Sequence, residues 1–223
     1  MNSFEFFTVT KMTADIFFDN LAGELGLGID LPDNGPSFIS ALKTAGHIKN
    51  DQVAVHIDTG NLSTSVEMQS YVTIGGIEDR FLSNDTKDFI KYPVRGNKWA
   101  IEVRGHRFQG KDTELSYKVN GIIDSFSRGI QLPNKQFLDF AVELKSIFRD
   151  NEAFQCTHYK CQFFDQWCNE GGIKDKVSNF TFRFGDSYGY TISPQLFMIE
   201  GAYKIGDLRI KTCEVQIYNN LAD

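Results

Sequence analysis

The chain has 223 residues, 41% of them hydrophobic and 20 of them Phe, with a formal net charge of −6. That length and apolar content suffice for one large domain or two small ones, and exclude the low-hydrophobicity, high-charge composition of a disordered chain. The acidic balance argues against nucleic acid, whose binding needs clustered Lys and Arg, and no stretch reaches the run of about 18 apolar residues that spans a bilayer.

In chain order, the first element predicted is a helix in GPSFISALKTAGHI, residues 35–48. Pro36 stands near its first turn, Phe38, Ile39 and Leu42 form an apolar stripe, and Gly46 supplies a C-terminal stop. DQVAVHIDTG alternates Val53, Val55 and Ile57, the pattern of a half-buried strand, before Asp58-Thr59-Gly60 breaks it. SYVTIGGI and KWAIEV read as further strands. A second helix is predicted in LPNKQFLDFAVELKSIF, residues 132–148, with Phe137, Phe140, Ala141, Leu144 and Phe148 on one face. Both stripes are read as core contacts. NFTFRFGD, GYTISPQLFMI and KTCEVQIY complete the strands. Short strands interrupted by two helices indicate a mainly β protein, not alternating β-α units.

Cys156, Cys161, Cys168 and Cys213 all lie in the last third, and N-x-[ST] triplets begin at Asn61, Asn84 and Asn179. An even cysteine count with sequons leans towards a secretory history. The opening MNSFEFFTVT has neither a basic start nor an apolar h-region, so the expectation is a signal carried by an upstream part absent here. The alternative is a cytosolic protein with reduced thiols. CTHYKC with Cys168 offers Cys156, His158, Cys161 and Cys168 as a zinc set, though at no common structural-zinc spacing. His47, His56 and His106 lack a Ser or Cys partner at motif spacing and are read as turn or surface residues. GELGLG has the wrong glycine spacing for a dinucleotide fingerprint, and no cofactor is expected.

Three segments resemble the pepsin-like aspartic peptidases. AGELGLGIDLPDNGPSFISALKTAGHI, residues 22–48, is similar to the end of that family's N-terminal lobe: Gly23, Leu25, Gly26, Leu27 and Gly28 match its Gly-Leu-Gly strand, while Ala22 replaces an Asp and Glu24 an apolar residue. YVTIGGIEDRF and IKYPVRGNKWAIEV resemble its link between lobes, with Tyr92, Pro93, Val94 and Trp99 in place and Glu78 where Asp is usual. GIIDSFSRGIQLP, residues 121–133, looks like its second catalytic loop, with Asp124 and Pro133 at the family's spacing and Asp124 49 positions after Gly75.

The resemblance implies a bilobal β-barrel fold, incomplete, with two short helices. It divides the chain into a remnant N-terminal lobe over 1–70, linking strands over 71–95 and a C-terminal lobe over 96–223. It favours a Cys168–Cys213 bridge, with Cys156–Cys161 closing a small loop. Asp124 becomes the candidate second-lobe catalytic aspartate, with Ser125 and Ser127 keeping hydroxyls beside it. Phe126 departs from a family Gly whose torsions few residues adopt, so Asp124 stands either as a turn carboxylate or as a catalytic one, degenerate or working. Asp58 falls 30 residues downstream of Gly28, whereas the family's first catalytic Asp lies upstream of that strand, and is read as a decoy. A retroviral-type reading of Asp58, one triad per chain in a homodimer, is set aside: the chain is too long and has no apolar-apolar-Gly-Arg segment after the glycine-rich run.

The chemistry of the family needs two carboxylates sharing one proton, and only Asp124 matches such a position. The expectation is therefore a degenerate or partial peptidase relative that hydrolyses nothing by itself and acts as a binding or structural module. Its partner would be a polypeptide substrate or a protein, within a larger complex, in the secretory pathway, a vacuole or lysosome, or outside the cell. The alternative is an acid endopeptidase whose first Asp-Thr-Gly and flap come from a missing segment or another chain.

Overall fold

A computed structural model describes residues 25–30, 35–56, 70–78, 91–124, 129–184, 188–205 and 207–220. The protein is mainly β with few short helices, and among the described residues no sheet closes into a barrel. The expected β-barrel thus appears as three open sheets. The backbone divides into two compact units, one over 1–92 with 96–99, the other over 93–95 with 100–223.

In the first unit, residues 25–30 have no regular secondary structure, where the resemblance implied a strand. Helix α1 (Phe38–Thr44) follows, and Ser37 caps it, accepting the Ser40 N–H at 3.3 Å. At its other end Gly46 takes φ 75°, and the N–H groups of Gly46 and His47 return to the carbonyls of Lys43 and Leu42. This is the Schellman arrangement, which satisfies the last orphan carbonyls. Strands β1 (Val53–His56) and β2 (Tyr71–Ile74) pair antiparallel, with Val55 opposite Val72. Both valines of that pair are exposed, so the alternation of Val53 and Val55 does not translate into a buried face. Trp99 donates its indole N–H to the Leu27 carbonyl at 2.8 Å.

The second unit holds two larger sheets around one core. Strands β3 (Ala100–Phe108), β4 (Lys111–Ile122), β8 (Phe180–Phe184) and β9 (Tyr188–Ile192) form a four-stranded sheet in the order β4-β3-β8-β9. Strands β5 (Ile130–Leu132), β6 (Phe154–Cys156), β7 (Lys160–Phe164), β10 (Met198–Ile205) and β11 (Leu208–Asn219) form the other, ordered β10-β11-β7-β6, with β5 parallel to the end of β11. Helix α2 (Asn134–Ile147) buries Phe137, Phe140, Ala141 and Leu144, and Phe148 caps its end, so the whole predicted stripe lies in the core. Phe140 meets Phe108 and Phe180 of one sheet, and Phe148 meets Phe163 of the other edge-on at 4.8 Å. A fully buried aromatic of this kind contributes about 2–3 kcal/mol of transfer free energy, and aromatic pairing at such separations adds about 1 kcal/mol.

A third α-helix among the described residues, α3 (Pro194–Phe197), interrupts GYTISPQLFMI, which was expected to run as one strand. Proline cannot donate to a sheet ladder and suits the first helical turn, so the run breaks there into β9, α3 and β10.

Candidate functional site

Asp124 lies two residues beyond the end of β4, in the segment that leads towards β5, and is exposed. Ile122, the last residue of β4, pairs with Ala100 on β3 and is 53% exposed, and Ile123 is 67% exposed. Val94 is also exposed, and the neighbouring Arg95 N–H donates to the Ala100 carbonyl at 2.8 Å, which fixes this segment at the same end of the sheet. The Arg95 guanidinium reaches Glu102 at 3.4 Å. Asp124 thus directly follows two exposed isoleucines at the end of β4. Ser125, Phe126 and Ser127 lie outside the described residues, as does Asp58.

At Gly129 the chain meets the end of β11 at a fixed point. Gly129 has φ 66°, and a Cβ on it would stand 2.4 Å from the Gln216 carbonyl oxygen and 2.8 Å from the Tyr218 ring. Only glycine accommodates both the torsion and that approach. Ile130 then pairs with Ile217, Gln131 with Tyr218 and Leu132 with Asn219. Pro133, extended at φ −54° and ψ 151°, turns the chain into α2. Strand end, Asp124, glycine clamp, short parallel strand, Pro133 and helix follow one another in that order.

The cysteines form two disulfides, Cys156–Cys161 and Cys168–Cys213, with sequence separations of 5 and 45. Their thiolates are consumed in those bonds, and among the described residues no group of His, Cys, Asp and Glu could hold a metal ion. The pairing is the one the resemblance implied, and it removes the zinc alternative of Cys156, His158, Cys161 and Cys168: the first and third are cross-strand partners in the β6–β7 hairpin, bonded to each other. His158 lies in the turn of that hairpin and is exposed.

His106 also departs from expectation. It is 4% exposed, not a surface residue, and stacks on Phe180 within the four-stranded sheet. Burial lowers its pKa from the ordinary 6.5. His47 follows α1 and is exposed, and His56 on β1 lies 6.5 Å from the Tyr71 ring.

A polar network that sequence reasoning missed crosses the five-stranded sheet. The Lys160 ammonium donates to Tyr203 Oη at 2.7 Å and to Glu214 at 3.0 Å, Tyr203 donates its single O–H to Glu214, and Gln162 Oε1 lies 3.3 Å from the same hydroxyl oxygen. Burial by itself would lower the Lys160 pKa, but the bonds to Tyr203 and Glu214 outweigh it and raise the ammonium above its ordinary value. No spacing rule links residues 43 and 54 positions apart, and the network is a structural feature of one sheet face.

Compared with models of known protein families and with curated proteins, the sequence gives no match.

Proposed function

We propose that this chain is a pepsin-like aspartic-peptidase relative that binds polypeptide at the surface around Asp124, without cleaving it. The lineage rests on the resemblance of residues 22–48, 71–81, 90–103 and 121–133. The observation that carries the binding role is the placement of exposed Ile122 and Ile123 directly before exposed Asp124, at the end of a strand paired to β3. Neighbouring residues of an extended chain project to opposite faces, so a bound extended peptide would bury one of these two isoleucines. One carboxylate in the matching position cannot serve as both base and acid, because the shared proton of the family dyad needs two like charges to split their ionisations. Hydrolysis is therefore not assigned to these 223 residues.

The test is a titration of apolar peptides followed by intrinsic fluorescence or NMR. Saturable binding is expected, weakened about tenfold or more in Ile122→Asp/Ile123→Asp, since each buried isoleucine contributes about 1–2 kcal/mol. Binding that is unchanged in a folded double variant would remove this surface from the account.

A further inference from the structure

The third sequon, Asn179-Phe180-Thr181, sits at the entry to β8. Successive side chains of a strand point to opposite faces. Phe180 is completely buried, stacked on His106 and edge-on to Phe140, so the core fixes the direction of the middle residue. Asn179 and Thr181 must then face the other way, and the structure agrees. Asn179 is exposed, and no hydrogen bond to another described residue occupies its carboxamide. Thr181 Oγ1 lies 3.0 Å from Thr191 Oγ1 on an exposed face that also carries the Arg183–Glu114 ion pair.

The backbone just before the acceptor is held in place. Ser178 Oγ accepts the Gln109 N–H at 2.8 Å, and Gln109 Nε2 donates to the Lys176 carbonyl at 3.3 Å, which anchors the tip of the β3–β4 hairpin beside it. Two disulfides fit the oxidising compartments in which asparagine is glycosylated. We infer that Asn179 carries an N-linked glycan. In that transfer, Asn179 Nδ2 loses one proton and bonds to the anomeric carbon of a lipid-diphosphate-linked oligosaccharide. The bond from that carbon to the diphosphate oxygen breaks, and the lipid diphosphate leaves with the electron pair. The sugar then stands over the polar face of the four-stranded sheet and shields it from partners, while Phe180 packs undisturbed beneath.

Cleavage after Lys176 and Arg183 releases residues 177–183, a peptide that holds no other sequon. The experiment compares the mass of that peptide, from protein secreted by a eukaryotic host, before and after an N-glycan-releasing amidase in heavy-oxygen water. The expected result is a peptide missing at its bare mass beforehand, which afterwards appears with Asn179 converted to a labelled aspartate. Thr181→Ala should abolish the conversion and Thr181→Ser retain it, a contrast that loss of folding cannot produce. A bare, unlabelled peptide 177–183 from secreted, disulfide-bonded protein would overturn the assignment.

Discussion

The imidazole of His106 lies flat on the ring of Phe180, with centroids 5.1 Å apart and planes 13° from parallel. Burial is the main cause of its lowered pKa; Asp139 on α2 opposes the shift and Lys135 on the same helix adds to it. The folded protein therefore resists protonating this ring, whereas the unfolded chain protonates it near 6.5. Stability is fully present above that value and falls as the pH drops below it, until the folded form also takes the proton. One such group gives a slope of at most about 1.4 kcal/mol per pH unit. Urea unfolding between about pH 6.5 and 5 should show this loss, and His106→Leu should flatten it. An unchanged slope in that variant would mean that other groups carry the acid sensitivity.

Gly129 fixes where the chain joins the end of β11. Gly129→Ala forces a Cβ against the Gln216 carbonyl in a left-handed torsion. The expected cost is about 2–4 kcal/mol, combining the torsional penalty with overpacking. Gly96, also at positive φ, has nothing within 4 Å of its added Cβ. Gly96→Ala should therefore cost only about 1 kcal/mol. Equal losses in the two variants, measured by urea midpoint, would show that the clamp on β11 is not what fixes Gly129.

The Lys160–Glu214 pair is only about one-quarter exposed on each side chain, and Tyr203 bridges the two. A double-mutant cycle of Lys160→Met and Glu214→Gln should give a coupling of about 1 kcal/mol, above the typical surface pair. Tyr203→Phe removes one hydroxyl from the network and should lower stability by about 1 kcal/mol. A coupling near zero would place this network with ordinary surface ion pairs.

The two disulfides constrain the unfolded chain unequally. Cys168–Cys213 spans 45 positions and Cys156–Cys161 only 5. On the chain-entropy estimate their removal costs about 4 and 2 kcal/mol respectively. Cys168 and Cys213 are also fully buried, so replacing both with Ala adds a packing loss. Chemical denaturation of the two double-Ala variants should rank them in that order, and the reverse ranking would contradict it.

Local signals carried much of the fold. Proline at Pro133 and the phenylalanine stripe after it located α2, and Gly46 located the end of α1, because caps and helical periodicity act within one turn. The helical turn at Pro194 was hidden by the apolar run around it, since period-2 and buried-helix patterns are alike over so few residues. His106 was misplaced for a different reason: nothing local tells that a Phe 74 positions later will stack on its ring. The exposure of Ile122 and Asp124 depends on β3 pairing with β4, and the Lys160 network depends on contacts between distant strands. Those are tertiary facts, set by register.

The most direct test of the account is peptide turnover by the 223-residue chain at about pH 4, between the two ionisations of a carboxylate dyad. Wild type and Asp124→Asn would be compared with and without pepstatin, on a peptide first shown to bind. The account predicts binding with no pepstatin-sensitive cleavage in either protein. Turnover that pepstatin blocks and Asp124→Asn abolishes would contradict it, and would make Asp124 one half of a working dyad.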